Sequence, residues 1–301
     1  MDGVLIIDKP SGMTSHDVVA VARRCLQHSR IGHTGTLDPL ATGVLPLACG
    51  RATRLVRFFS ASDKDYEAGI CFGVTTDSYD ITGKELTRTE CVPTREAVQQ
   101  ALESLRGEQL QIPPAYSAKK VAGRRAYAMA RRDEPVDLRP VAVRVDRADL
   151  LDFAGRTARV AITCSAGFYV RAFAQTLGER VGTGACLESL RRTRSGEFES
   201  TGAIGLDELH RDPTAVAAGM IPIDGLLRTF PVVRLTDEGR VRVSHGQDVM
   251  ATTHLVAGDA ARVDHSGTSP WVRLLDGDGR LLALGTPGKS AGSLHPAVVL
   301  T

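Results

Sequence analysis

Hydrophobic and polar positions follow two different periods along the first two thirds of the chain. Apolar residues recur every three or four positions after Ser15, which can cap a helix, from Thr94 and over residues 169–181, and this predicts three amphipathic helices. Short apolar runs predict strands over residues 4–7, 44–48, 66–72, 141–151 and 157–164, and residues 53–59 predict a short helix. Because helices and strands do not alternate regularly, we expect an α+β fold with flanking helices and a mixed, largely antiparallel sheet.

The pattern changes near Pro231. After this residue, short apolar runs are separated by clusters of Gly, Asp and Ser. The strands predicted here cover residues 232–235, 241–243, 272–275 and 281–284. We therefore divide the chain into a large domain, residues 1–229, and a small β-rich domain, residues 230–301.

Length, cysteine content and the N-terminal segment narrow the class of protein. A chain of 301 residues with 43% hydrophobic residues can bury a substantial core. The first residues carry neither a basic run nor a long apolar stretch, so the sequence predicts no signal peptide and no membrane span. The six cysteines contain no C-x-x-C pair and the eight histidines show no ligand spacing, which argues against a metal site. We expect a cytoplasmic protein with reduced cysteines.

Basic residues are concentrated in two clusters, although the net charge is only +2. The first basic cluster, within residues 117–132, contains no acidic residue and consists of Lys119, Lys120, Arg124, Arg125, Arg131 and Arg132. The second basic cluster is Arg191, Arg192 and Arg194. An isolated cluster is more often the solvated face of a helix or the end of a strand, but two such clusters in one chain favour contact with a phosphate backbone.

One carboxylate stands in a glycine-rich, apolar segment, residues 32–46. The three glycines of this segment allow the backbone to approach a ligand closely, whereas its leucines and prolines offer no partner to the charge of Asp38. Asp38 is therefore a candidate catalytic group that needs a distant cation or a substrate. The alternative is a turn in which Asp38 caps a neighbouring amide before Pro39.

The order Gly-His-Thr-Gly-x-Leu-Asp-Pro-x-Ala-x-Gly-Val-Leu in this segment closely resembles the catalytic motif of the TruB family. Members of this family are bacterial tRNA pseudouridine-55 synthases, which isomerise one uridine in the T-loop of tRNA. The resemblance extends, in the family's order, to residues 8–15, 64–66, 112–120, 167–171 and 190–196. It implies a pseudouridine-synthase-like fold with the active-site cleft across the sheet. Family members commonly also carry a C-terminal RNA-binding domain of the PUA type, so we expect residues 230–301 to be PUA-like.

The resemblance implies three catalytic residues, Asp38, Arg171 and Tyr66. Asp38 begins the reaction by attack at C1′, by attack on the uracil ring or by proton abstraction at C2′, and all three routes stay open. Arg171 is expected to form a two-pronged pair that orients Asp38, the alternative being a surface arginine. Tyr66 is expected to stack on the flipped base and to move a proton at C5, the alternative being an aromatic residue of the core.

The resemblance also implies a set of substrate-binding residues, namely His33, Tyr169, Leu190, Lys9, Lys119 and Lys120. His33 and the apolar or aromatic members are expected to replace the stacking that the extruded uracil loses. Lys9 is expected near the cleft, where it either supports the Asp38 loop or contacts RNA. Asp80 matches an acidic position of the family, but an acid before a glycine is explained by a turn, so we do not count it as catalytic.

These features favour a tRNA pseudouridine synthase that binds the T-arm as a monomer and needs no cofactor, nucleotide or metal. The alternative is a tRNA-binding and folding protein whose main role is not chemistry. A pure binder has no use for a carboxylate that faces a polyanion, so Asp38 favours the enzyme. A nucleotide-binding enzyme is disfavoured because the chain contains no G-x-x-x-x-G-K-[ST] motif.

Overall fold

The computed structural model describes residues 1–117, 119–121, 123–130, 132, 134–250, 253–254 and 270–301. The strands are β1 Gly3–Lys9, β2 Ile31–His33, β3 Thr42–Cys49, β4 Lys64–Phe72, β5 Val74–Thr76, β6 Glu85–Arg88, β7 Gly107–Gln111, β8 Lys120–Val121, β9 Arg124–Arg125, β10 Val141–Ala154, β11 Thr157–Cys164, β12 Ala185–Ser195, β13 Phe198–Glu199, β14 Ile221–Pro222, β15 Val232–Arg234, β16 Val249–Met250, β17 Val272–Leu275, β18 Leu281–Pro287 and β19 Ser293–Val299. The α-helices are α1 Ser15–Cys25, α2 Val56–Ser60, α3 Arg95–Ser104, α4 Ala126–Ala130, α5 Val170–Arg180, α6 Leu206–Arg211, α7 Pro213–Ala218 and α8 Asp237–Ser244. Short 3-10 helices cover Gly50–Leu55, Ser200–Gly202 and Ile223–Gly225.

A sheet of ten strands forms the centre of the described part of the chain. Its main path is β14-β1-β3-β12-β4-β11-β10-β7, with β2 beside β3 and β13 beside β12. Neighbouring strands are antiparallel except for β3 and β12, which run parallel. The prediction of an α+β fold with a mixed, largely antiparallel sheet is confirmed.

Strand β1 is buried on both faces of this sheet. Successive side chains of a strand point to opposite faces, so Leu5 and Ile7 join one core cluster and Val4 and Ile6 join another. The first cluster contains the apolar faces of α1, α3 and α5. Burial on both faces explains why this strand reads as a continuous apolar run rather than as an alternating one.

The second core cluster joins the two ends of the chain. The five strands β15-β17-β18-β19-β16 form a smaller sheet after Pro231, which agrees with the predicted C-terminal β domain. Leu275 and Leu284 of this sheet share one cluster with Val44 of β3 and Phe59 of α2. The smaller sheet therefore packs against the central sheet and covers its second face. None of the helices in the described ranges is long and apolar enough to cross a membrane.

The prediction of a strand over residues 241–243 is wrong, because these residues lie in α8. Thr236 caps this helix by accepting a hydrogen bond from Gly239 N, and acidic residues stand in its first turn, where the helix dipole favours negative charge. The alternation of valine and arginine imitated a strand, but Val243 is buried and Val241 is 50% exposed.

Candidate active site

Asp38 lies in the loop between β2 and β3, and the start of α1 holds this loop. Ser15 donates a hydrogen bond from Oγ to Leu37 O at 3.1 Å and accepts one from Leu37 N at 2.8 Å. The prediction that Ser15 caps α1 is therefore wrong. Thr14 is the cap and forms a capping box with Asp17, which leaves the buried Ser15 hydroxyl to the loop.

Lys9 supports the same loop from inside the protein. Its side chain is completely buried, and Nζ donates to Pro10 O at 2.8 Å, Met13 O at 2.6 Å and Pro39 O at 3.4 Å. Burial lowers the pKa of Lys9 to about 8, and the negative charge of Asp38 opposes that decrease. Because the side chain has no surface open to a phosphate, the structure favours loop support over the predicted contact with substrate RNA.

Arg171 anchors Asp38 from the start of α5. The Arg171 side chain is only 5% exposed, whereas 40% of the Asp38 side chain is exposed. Arg171 Nε donates to Asp38 Oδ2 at 2.8 Å, Nη1 donates to Ser78 O at 3.0 Å and Nη2 donates to Tyr116 O at 2.8 Å. Arg171 and Asp38 therefore form a pair through one hydrogen bond, and the predicted two-pronged contact is wrong. The other donors of the guanidinium fix it to the backbone.

A second carboxylate, Asp80, reaches the same guanidinium. Its Oδ2 lies 3.7 Å from Arg171 Nε, and its side chain is 9% exposed. Its Oδ1 accepts hydrogen bonds from Ser78 Oγ at 3.0 Å and from Thr82 Oγ1 at 2.6 Å, so the turn expected from the sequence is also present. The sequence analysis explained Asp80 by this turn alone and did not predict its contact with Arg171. The match of Asp80 to an acidic family position was the signal for its second contact.

Tyr66 is the third residue of β4 and lies between Ile162 of β11 and Arg192 of β12. Burial raises the pKa of the Tyr66 phenol, and the positive charge of Arg192 partly opposes this increase. The negative charge of Asp38 also raises that pKa, so Tyr66 and Asp38 interact electrostatically. Tyr66 is thus a partly buried, neutral phenol within range of the charge of Asp38.

Tyr169 immediately precedes α5 and is fixed by Gln111 of β7. Tyr169 N donates to Gln111 Oε1 at 2.8 Å, and Gln111 Nε2 donates to Tyr169 O at 3.0 Å. Burial raises the pKa of the Tyr169 phenol, and the nearby charge of Asp38 acts in the same direction. Arg171 therefore contacts Asp38 directly, and Tyr66 and Tyr169 lie within range of its charge.

His33 stands at the end of β2, where the Asp38 loop begins. Its ring packs edge-on against His16 with the centroids 5.2 Å apart, and its Nδ1 is buried without a hydrogen-bond partner among the described residues. Burial lowers the pKa of His33 to about 4, and the positive charges of His16 and Arg192 act in the same direction. His33 is consequently a neutral imidazole at physiological pH.

Leu190 is nearly buried and lines a cleft of about 340 Å³ beside the Asp38 loop. Leu40 and Thr42, which follow Asp38, form part of the same wall. The Leu190 carbonyl accepts a hydrogen bond from Thr42 Oγ1 at 3.3 Å, so β12 and the loop are joined at this point. Asp38, Tyr66 and Arg171 do not line this cleft, so the position of Leu190 near the target base stays a prediction.

Known proteins resemble this chain along its whole length. A protein of Solibacter usitatus called tRNA pseudouridine synthase B is 42% identical over 307 aligned positions, which cover 100% of both chains. The chain belongs to the TruB family. Residues 23–170 match the family model described as TruB family pseudouridylate synthase (N terminal domain). The Azoarcus protein called tRNA pseudouridine synthase B is 38% identical over 98% of this chain and 94% of its own.

Solved structures support the fold of this TruB family protein. A chain in the crystal structure of a Cbf5-Nop10-Gar1 complex superimposes with a TM-score of 0.74. The superposition covers 99% of this chain and 85% of that chain, at 25% sequence identity. A chain of an H/ACA RNP bound to a substrate RNA containing 2'-deoxyuridine gives the same TM-score at 24% identity and supports the fold alone.

The arginines of the second basic cluster of this TruB family protein are already engaged by other groups of the protein. Arg191 makes a two-pronged pair with Asp8 at 2.8 and 3.0 Å, and Arg194 makes one with Asp65 at 2.7 and 2.8 Å. Arg192 is only 1% exposed. The sequence could not separate these cases, because the partner carboxylates come from other strands.

RNA binding by the first basic cluster stays a prediction. Arg131 and the side chains of Lys120 and Arg125 lie outside the described residues. Lys119 is partly buried, and Arg124 forms an exposed ion pair with Glu134 at 2.7 Å. Binding of RNA by Lys119 and Lys120 therefore still depends on the family resemblance.

Proposed function

We propose that this protein is a tRNA pseudouridine synthase that isomerises a uridine in the T-loop of tRNA. The observation that carries the proposal is the pair formed by Asp38 and Arg171 in a member of the TruB family. The cation is buried and the carboxylate is 40% exposed, so Asp38 keeps surface for a ligand while it is anchored from inside. Recognition of the T-arm by a cytoplasmic monomer is part of this proposal.

The reaction must break the bond between N1 and C1′, turn the uracil and join C5 to C1′. Each of the three possible first steps, attack at C1′, attack on the ring and proton abstraction at C2′, requires an ionised carboxylate that faces the nucleotide. A carboxylate has this charge at neutral pH. The Nε–H of Arg171 orients Asp38 for the step, and the overall isomerisation consumes no oxidant, reductant or group donor.

The residues near Asp38 can replace the stacking that the target base loses when it is extruded. A uracil inside a folded T-loop must leave its stack before a side chain can reach it. Tyr66 is proposed as the platform on which the flipped base stacks, with Tyr169 and Leu190 packing around it. His33 is proposed to fill the vacated position, and its lowered pKa keeps it uncharged there.

The competing proposal is a tRNA-binding and folding protein. Such a protein gains from lysines and arginines but loses affinity through an exposed carboxylate that faces phosphates. The fixed geometry of Asp38 favours the enzyme, because Ser15 and Lys9 hold its loop and Arg171 holds its side chain. A binding role for residues 230–301 is compatible with either proposal.

The deciding experiment uses the purified full-length protein and an unmodified tRNA transcript without nucleotide or metal. Pseudouridine is mapped by carbodiimide-dependent stops of primer extension. We expect one stop in the T-loop, and none with a transcript in which the target uridine is replaced by cytidine. The Asp38→Asn protein controls for contaminating enzymes. A wild-type reaction without a stop in the T-loop would overturn the proposal.

A further inference from the structure

Arg192 is the largest fully buried side chain of the described protein, with 1% of its surface exposed. No carboxylate among the described residues lies within ion-pair distance of it, unlike its neighbours Arg191 and Arg194. A buried cation is costly unless hydrogen bonds satisfy it. The hydrogen-bond acceptors and neighbours of Arg192 therefore indicate its role in the structure.

On one side, Arg192 joins the two flanks of the Asp38 loop. Its Nη2 donates to Gly35 O at 3.1 Å, and its Nε donates to Val44 O at 2.7 Å. In the parallel pair of strands, Gly43 lies opposite Arg192, and a Cβ at Gly43 would be 2.2 Å from Arg192 O. Residue 43 also has a φ of +99°, so the close seating of the loop on β12 requires glycine.

On the other side, Arg192 faces Tyr66. The two residues are direct neighbours in the antiparallel pair of β12 and β4, so their side chains share one face of the sheet. The guanidinium of Arg192 also lies close enough to the Tyr66 hydroxyl to lower the pKa of the phenol. A guanidinium only donates, so in a contact between these two groups the Tyr66 oxygen accepts and its own proton is left for another acceptor.

The charge of Arg192 reaches the other groups of the site as well. It lowers the pKa values of Lys9 and His33 in addition to that of the Tyr66 phenol. Because these three residues lie on β1, β2 and β4, groups from three strands lie within range of the charge of Arg192.

We propose that Arg192 is a positioning residue that fixes the Tyr66 hydroxyl relative to the Asp38 loop and directs the phenolic proton toward the flipped nucleotide. This inference rests on the proposed function. Tyr66 then acts as a hydrogen-bond donor and not as a base. A lysine cannot replace Arg192 here, because its ammonium group lacks the planar set of N–H donors with which a guanidinium serves several acceptors in one geometry.

A cycle of four proteins tests the coupling: wild type, Arg192→Lys, Tyr66→Phe and the double variant. We expect Arg192→Lys to lower the single-turnover rate on tRNA at least tenfold when Tyr66 is present. In the Tyr66→Phe background the same change should cost less than threefold, because the hydroxyl is already absent. Equal losses in both backgrounds would overturn the proposal. Arg194→Lys, on the same strand, is the matched control and should change the rate less than twofold.

A second measurement does not depend on activity. In protein labelled with 3-fluorotyrosine, the ¹⁹F resonance of Tyr66, assigned by its loss in Tyr66→Phe, should titrate at higher pH in Arg192→Lys than in wild type. An unchanged titration would overturn the proposal even if the protein were inactive on tRNA. If Arg192→Lys does not fold, Tyr66→Phe tests the contact from the other side. It should shift the ¹⁵N side-chain resonances of Arg192 but not those of Arg180, and unmoved Arg192 resonances would contradict the contact.

Discussion

Arg171 Nε lies 2.8 Å from Asp38 Oδ2, although 133 positions separate the two residues in the chain. The pair is asymmetric, because the arginine is buried and the aspartate is partly exposed. Two carbonyl groups fix the guanidinium, so the cation forms part of the protein interior and the carboxylate is the part of the pair that a ligand can reach.

The first prediction concerns Asp38→Asn. The amide preserves the shape of the side chain but cannot act as a nucleophile or a base, so we expect no detectable pseudouridine. Affinity for tRNA should be equal or slightly higher, since one negative charge facing the phosphates is removed. Single-turnover assays and filter binding measure the two quantities. Appreciable turnover by the folded variant would contradict the role of Asp38.

The second prediction concerns Arg171→Lys. An ammonium group keeps the charge but cannot serve Asp38, Ser78 O and Tyr116 O together. We expect a severe but incomplete loss of rate and a loss of about 1–3 kcal/mol in the free energy of unfolding, because a buried carbonyl is left unpaired. Arg180→Lys, at the exposed end of the same helix, is the control for both measurements. Wild-type rate in Arg171→Lys would exclude orientation by the guanidinium.

The third prediction uses the lowered pKa of His33. Between about pH 4 and 6.5 the unfolded chain binds a proton at this residue and the folded protein does not, so stability decreases as the pH falls through that range. At pH 5 this loss of stability is at most about 2 kcal/mol, because solvent screens part of the charge of the partly exposed ring. Urea unfolding at pH 5 and pH 7.5 should show a smaller difference for His33→Phe than for wild type. His210→Phe, at an exposed position, should leave the difference unchanged, and an identical effect of both variants would refute the assignment.

The fourth prediction concerns Lys119 and Lys120. If both contact phosphates, neutralising them should weaken tRNA binding and reduce the slope of log affinity against log salt by about 0.7–0.9 per contact. Neutralising Arg191 and Arg194 is the matched control, since both are already paired with carboxylates. A changed rate with an unchanged salt slope would place the lysines near the chemistry instead.

The fifth prediction concerns removal of residues 231–301. Leu275 and Leu284 share a core cluster with Val44 and Phe59, so the truncation exposes apolar surface of the remaining chain. We expect the truncated protein to unfold at lower temperature and to bind a hydrophobic dye, in addition to any loss of RNA affinity. A truncated chain as stable as the full one would indicate separable domains.

The sequence by itself determined the local structure and the chemical candidates. The spacing of apolar residues located α1, α2, α3 and α5 and the strands β1, β3, β4, β10 and β11, because that spacing reflects which face of an element is buried. It did not locate the central strand β12. The resemblance of the motifs identified Asp38, Tyr66 and Arg171 as candidate catalytic residues, and the fold pairs Asp38 with Arg171. Thr94 was correctly identified as the start of α3, since capping is a contact within four residues.

Tertiary structure alone decided the partners of the charged residues. Arg191 reaches Asp8 over 183 positions, and Arg192 is buried because β12 lies between β3 and β4. Strand order brings such groups together, and no local pattern encodes it. The sequence left open, for the same reason, whether Lys9 supports the Asp38 loop or contacts RNA. Its burial follows from the carbonyls that converge on it when the Asp38 loop packs against β1 and α1.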